Sequence, residues 1–315
     1  FTINILGEYS YVSVQVNTPI GKMNEHTHKI DDIETLWELN EDNKEKYTNR
    51  CKEIYCPAMM KQKKIEIIKK LILEYDYSAA LVVAGDIKLE NKAMDLLNLA
   101  NYRINLDLSS AKKIEEKLKI NIIPKLPGNI SKLFEYTLVS DIKQKKSQYA
   151  DFLRSISPII TDLFVMIIKT ECNLDINDFC CRNQCGALKW DLVKLNKDKK
   201  GKKIVVDNDI NKNRFVMSTD LTNIILNSSS KKGLKKLVEK IRKVEEKMRN
   251  PAAHQIISIN DDVIKNRTKE IDGKGFKTEQ IIKMIKDGYK YIGVNIKDDY
   301  WNSYDEMNKI ILEEL

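Results

Sequence analysis

From about residue 51 onward the apolar residues of this chain recur every three or four positions, and this period constrains the fold more than any other feature. Ile65, Ile68, Leu71 and Ile72 form one stripe, Met94, Leu96, Leu97 and Ala100 a second, and Leu234, Leu237, Val238, Ile241, Val244 and Met248 a third. Residues three and four apart share one face of a helix, so each stripe predicts an amphipathic helix that buries one side. The chain is therefore expected to be mainly α. Its 315 residues suffice for two ordinary domains or one large one. With 42% hydrophobic and 32% charged residues it is too polar for a membrane protein and too apolar to be disordered throughout. Apolar runs such as 163–168 fall far short of the roughly 20 residues that span a bilayer, so no membrane association is expected. Phe1 leads into a strand-like run, with no basic or apolar leader before it, which predicts no signal or transit peptide.

Three units follow from the pattern: residues 1–50, 51–130 and 131–315. In the first, Val12, Val14 and Val16 alternate with Ser13 and Gln15 as in a strand, which the turn Asn17-Thr18-Pro19 ends. An acidic, polar connector runs from Gly21 to about Arg50; its His26 and His28 lack a third suitably spaced ligand and are not read as a metal site. The second unit is all-helical from Cys51, and Pro124, Pro127 and Gly128 punctuate its end. In the third, helical spacing from Ile130 to Glu171 is predicted to break at Pro158, which lacks a backbone donor. Between Ala187 and Phe215 the pattern loosens. Lys189–Val193 and Lys203–Val206 are predicted as two strands of a small hairpin around a Lys-rich turn in which Gly201 supplies a positive φ. Helices return at Leu221 and Leu234, then over about 278–291 and 301–315.

Six cysteines are too few for a disulfide scaffold and point to a reducing, cytoplasmic setting. Cys180, Cys181 and Cys185 cluster, but without a paired C-x-x-C or a nearby His they read as free thiols and not as a zinc site. The net charge of +8 is a mild bias towards polyanions. It is concentrated locally: residues 231–249 hold nine Lys or Arg against Glu239, Glu245 and Glu246, on the face of the third stripe's helix opposite its apolar residues.

That basic helix leads into Arg249-Asn250-Pro251-Ala252-Ala253-His254. In an unbroken helix positions five apart lie about 140° apart in projection, so Arg249 and His254 would not share a face. Pro251 is predicted to resolve this by ending one helix, with Asn250 and Pro251 as N-cap and first residue of the next. Exposed amides at a helix start, a guanidinium and an imidazole together favour a phosphodiester. The plain alternative makes Asn250 a cap, Arg249 a charge that offsets the helix dipole and His254 a satisfied buried side chain. RNA suits the first reading, since its 2′-hydroxyl is a nucleophile already held beside the phosphate. His254, with an ordinary pKa of about 6.5, would move the proton, Arg249 would neutralise charge building on the phosphate, and Asn250 would hydrogen-bond it. No acidic cluster surrounds the motif, which argues against a two-metal nuclease, and no metal or other cofactor is expected.

With its helical setting and its Asn, this motif resembles that of the HEPN ribonucleases, Arg followed after four to six residues by His. Val14–Val16 leading into Asn17-Thr18-Pro19, the segment Tyr75–Leu81, the segment Ala100–Asp107 and the Arg249–His254 motif occur in the order seen in the CARF-HEPN accessory ribonucleases of Csm-type (type III-A) CRISPR systems. The resemblance implies a helical middle domain and a C-terminal HEPN helical domain with a small hairpin insertion, preceded by a truncated Rossmann-like α/β CARF segment. Most of the CARF sheet would lie upstream of the strand that matches 12–16, and this sequence has none of it. It implies a homodimer whose two motifs meet in one composite site, single-stranded RNA as substrate and cyclic oligoadenylate as allosteric activator. Asn17 and Thr18 would be the ligand-binding positions. A second reading stays open, in which a CARF-type sensor carries a non-catalytic, helical nucleic-acid-binding domain and helix 234–249 lies against DNA. A helical scaffold with a solvated basic face is the third.

Overall fold

The computed structural model describes residues 14–16, 51–53, 57–184, 186–254 and 258–315, and side chains for 60–184, 186–248 and 258–315. The connector with His26 and His28, the turn residues Asn17 and Thr18, and Cys185 lie outside the described residues. Strand β1 (Val14–Val16) pairs antiparallel with β2 (Cys51–Glu53), Val14 opposite Glu53 and Val16 opposite Cys51. The helical period therefore does not start at Cys51. This strand takes its conformation from a partner far away in sequence, which a local period does not report.

Helix α1 (Pro57–Leu73) opens on a proline, whose fixed φ and missing N–H suit a first turn. α2 (Tyr77–Gly85), α3 (Asn91–Ile104) and α4 (Leu108–Leu118) follow, separated by turns in which Tyr75 (φ 54°) and Leu106 (φ 62°) are left-handed. Asp76 caps α2 by accepting from the Ala79 N–H at 3.1 Å, and Asp107 caps α4 by accepting from Ser110 N–H at 3.1 Å. The proline segment after α4 is held by Glu115, whose Oε1 accepts from the backbone N–H groups of Ile122 (2.6 Å) and Ile123 (2.8 Å).

Two long helices come next, α5 (Gly128–Lys145) and α6 (Tyr149–Glu171). The break between them falls at Ser147 (φ 56°), and α6 runs straight through Pro158. The expected break there is absent because Phe152, Leu153 and Ile156 on one side of it and Ile159, Ile160, Leu163 and Phe164 on the other belong to one buried face. Arg154, whose carbonyl loses its donor, is an exposed residue.

A hairpin does interrupt the helices, from β3 (Cys180–Arg182) and β4 (Leu188–Trp190) in antiparallel register, Cys180 opposite Trp190. The expected second strand, Lys203–Val206, is instead part of a helix. It lies in α8 (Lys199–Asp207), which follows α7 (Leu192–Lys197) and buries Ile204. Gly201 is needed for close approach and not for a positive φ, since a Cβ there would stand 2.2 Å from the Leu195 carbonyl oxygen. The hairpin is locked to α9 (Ser218–Ser228) through Asp220, which accepts from Trp190 Nε1–H at 2.8 Å and from both terminal nitrogens of Arg214 at 2.8 and 2.9 Å.

α10 (Lys232–His254), α11 (Asp261–Asp272), α12 (Thr278–Gly288) and α13 (Ser303–Glu313) complete the chain. α13 returns to the first helices: Tyr77 donates to Asn308 Oδ1 at 2.7 Å, and Asn308 Nδ2 donates to the Ile72 carbonyl at 3.0 Å. Beside them Arg103 of α3 and Glu135 of α5 form an ion pair at 2.9 Å with no solvent contact to speak of, 0% and 1% exposed. One continuous apolar core runs from Ile68 to Ile311. Among the described residues no helix is long and apolar enough to cross a membrane.

Candidate active site on helix α10

α10 is amphipathic as its sequence predicts, with Leu234, Val238, Ile241, Val244 and Met248 buried. Its middle is fixed from the side by Arg242, which donates to Thr219 Oγ1 at 3.1 and 2.8 Å and lies 3.7 Å from the buried Glu245. The helix does not stop at Asn250. Its backbone is helical through Pro251 to His254, so the expected pair of helices with Asn250 as a cap is a single helix. Pro251 removes one hydrogen bond within the last two turns, where little helix remains to be lost. Positions 249 and 254 are thus about 7.5 Å apart along the axis and about 140° apart around it.

The start of α11 is tied down. Asn260 caps α11 by accepting from Val263 N–H at 2.9 Å, and Asp261 accepts from both the N–H (2.9 Å) and Oγ1 (2.7 Å) of Thr278 at the head of α12. α11 folds back along α10, and Lys247 pairs with Glu270. The hydrogen bond from Lys247 holds the Glu270 carboxyl below the usual carboxylate range.

Other chemistry-bearing groups lie elsewhere. Cys180 is buried, and burial pushes its thiol up to about 12, whereas Cys181 is exposed. A cleft of about 990 Å³ is lined by Tyr136, Asp162, Lys132 and Arg182, and among the described side chains none of α10 is in its wall. Asp162 is exposed, but partial withdrawal from water raises its carboxyl, against the opposing attraction of Arg182 and Lys132. The sequence did not point to Arg103 and Glu135 as a pair. They lie on different helices, and no local pattern marks them.

The model of the Cas_Csm6 HEPN domain matches residues 122–312, a span that contains all of α10. The chain belongs to the Csm6 HEPN family. The Csm6 6H domain matches residues 54–104, where α1, α2 and α3 lie. The chain is 26% identical over 320 residues to the CRISPR system endoribonuclease Csm6 of Mycobacterium tuberculosis (strain ATCC 25618 / H37Rv), covering 99% of this chain and 70% of that protein. Its fold is similar to that of Enterococcus italicus Csm6 bound to cyclic hexa-2'-fluoro-hexa-dAMP, with a TM-score of 0.58 and 15% identity over 96% of this chain and 68% of that one. Arg249, Asn250 and His254 fall inside the matched HEPN span, on the last turns of its most basic helix.

Proposed function

We propose that this Csm6-family HEPN endoribonuclease, of a type III CRISPR system, cleaves single-stranded RNA through attack of the 2′-hydroxyl on the adjacent phosphate. Cleavage occurs at a composite site to which two copies of the chain each contribute Arg249, Asn250 and His254. The observation that carries this reading is the position of Arg249-Asn250-x-x-x-His254 at the end of α10, within the matched HEPN span. The helix itself favours two copies. With positions 249 and 254 on different sides of one rod, a guanidinium and an imidazole converge on one phosphate more readily from two rods than from one.

The roles follow from the side-chain chemistry. An imidazole titrating near neutrality takes the proton from the 2′-hydroxyl, and a second returns one to the leaving 5′-oxygen. The guanidinium fork binds two non-bridging oxygens as negative charge builds on them. The nucleophile belongs to the substrate, so no metal is needed to generate it. Cyclic oligoadenylate, the ligand class named for the Enterococcus italicus relative, is the activator, with Asn17 and Thr18 as its proposed contacts.

Cleavage of an oligoribonucleotide with cyclic oligoadenylate present tests the chemistry. The rate stays within about twofold in excess chelator, and 2′-deoxy substitution at each cleavable position abolishes cutting. A 2′-deoxy strand cut as fast as the parent RNA, or a rate that collapses with chelator, contradicts the mechanism.

A further inference from the structure

We infer that the exposed lysine row Lys236, Lys240, Lys243 and Lys247 on α10 is the track along which the RNA backbone reaches the cleavage site. This rests on the endoribonuclease reading above and names a substrate-positioning surface for it.

The continuity of α10 makes the row visible. At 3.6 residues per turn, positions 236, 240, 243, 247, 250 and 254 all fall within about 40° of one line along the helix. Four lysines, all exposed, therefore lead over roughly 27 Å directly to Asn250 and His254. Had Pro251 ended the helix, the row would have had no fixed relation to the motif. Lysines three and four apart repel one another, so the row opposes the helix that carries it. A solvated face has no need of so unmixed a sector. Successive cations at these intervals suit a polyphosphate backbone, whose charges also repeat at short regular spacing.

The neighbouring acids do not cancel the row. Glu239 and Glu246 sit about 60–80° away around α10. From α11, Glu270 engages Lys247, and Asp272 accepts from the backbone N–H groups of Lys274 (3.0 Å) and Gly275 (2.7 Å). Asp272 also attracts Lys240 through space, without an ion-pair contact, and among the described residues Lys236 and Lys243 have no ion-pair or hydrogen-bond partner. A second basic row, Lys235, Arg242 and Arg249, recurs at intervals of seven. Its middle member is already engaged with Thr219 and Glu245, which makes it the weaker candidate.

The test compares the triple variant Lys236→Gln/Lys240→Gln/Lys243→Gln with a charge-matched control, Lys199→Gln/Lys202→Gln/Lys203→Gln, on exposed positions of α8. Binding of a 2′-deoxy-substituted oligouridylate that resists cutting is followed by fluorescence anisotropy across a salt series, with thermal melts of each protein alongside. Each single-strand phosphate contact contributes about 0.7 to the slope of log affinity against log salt, so the triple variant loses about 2 from that slope and the control loses none. In single-turnover cleavage of the corresponding all-ribose strand with cyclic hexaadenylate present, the triple variant needs at least tenfold more RNA for half-maximal rate and keeps its saturated rate. An unchanged slope in the triple variant, or an equal loss in the control, overturns the track. If the unmodified protein cuts no RNA, the function reading fails while the slope still reports on the track.

Discussion

Replacing Arg103 with methionine removes the cation that neutralises Glu135 in a site closed to water. Arg103 donates from Nε and Nη2 to the two Glu135 oxygens at 2.9 Å each, from Nη2 to Ser303 Oγ at 2.6 Å and from Nη1 to the Ser303 carbonyl at 3.2 Å. Its guanidinium carbon lies 4.1 Å from the centroid of the Tyr304 ring. Burial opposes the charged form of Arg103, but attraction to Glu135 and Tyr304, the hydrogen bond to Glu135 and attraction to Tyr77 together outweigh it, so its pKa rises above the usual value. Removing one partner of a buried pair costs about 3–5 kcal/mol, because the other charge is stranded. At about 2–4 °C per kcal/mol for domains of this size, the melting temperature falls by roughly 6–20 °C. Adding Glu135→Leu to Arg103→Met recovers a large share of the loss, since two apolar groups of similar volume replace a buried pair at little cost. Denaturant and thermal unfolding of the parent, both single variants and the double variant give the coupling, expected above about 2 kcal/mol. The pair joins α3, α5 and the start of α13, so limited proteolysis of Arg103→Met should also cut between the N-terminal helices and the rest at a faster rate. A single variant within about 1 kcal/mol of the parent, or a double variant no more stable than Arg103→Met, refutes the reasoning.

Two further outcomes follow from particular groups. Asp162 is an exposed residue whose carboxyl is partly withdrawn from water by its surroundings, which raises its pKa; it therefore binds its proton more tightly folded than unfolded, and stability falls modestly as pH rises through the window above its ordinary value of 3.8. Asp162→Asn accordingly raises the melting temperature at pH 7, and the gain shrinks as pH approaches 4; a loss at pH 7, or a gain independent of pH, contradicts this. Gly201→Ala places a Cβ 2.2 Å from the Leu195 carbonyl, so α7 and α8 must separate. Such overpacking costs about 1–3 kcal/mol in denaturant unfolding. A variant as stable as the parent would show that the contact relaxes freely.

What the sequence revealed was what depends on neighbours along the chain. The stripe Ile65, Ile68, Leu71 and Ile72 is a helix face because spacing alone decides it, and the structure buries Ile65, Ile68 and Ile72 there. Of the expected strand Lys189–Val193 only Lys189 and Trp190 lie in β4; Asp191 caps α7, and Leu192 and Val193 begin it. Lys203–Val206 misled because its β-branched run Ile204-Val205-Val206 favours a strand locally; the packing of α8 against Leu195 overrides that preference. Both prolines were read too strongly. At Pro158 and Pro251 one missing hydrogen bond is outweighed by apolar faces that continue on α6 and by the long anchored body of α10. The Arg103–Glu135 pair and the return of α13 onto Tyr77 join residues far apart in sequence, and no local period encodes them. The motif Arg249–His254 could be found from residue types and spacing, whereas its placement on one helix could not. That placement also turns a diffuse basic run into a row aligned with Asn250 and His254.

The most direct test of the central claim is single-turnover cleavage of single-stranded RNA by His254→Ala, with cyclic oligoadenylate present, beside the parent and with melting and sedimentation of both. A positioned proton-transfer group contributes about 10²- to 10⁴-fold in rate, so the variant loses at least that much while its melting temperature and dimer are unchanged. Cleavage by His254→Ala at the parental rate, or a loss that appears only because the variant has unfolded, contradicts the account.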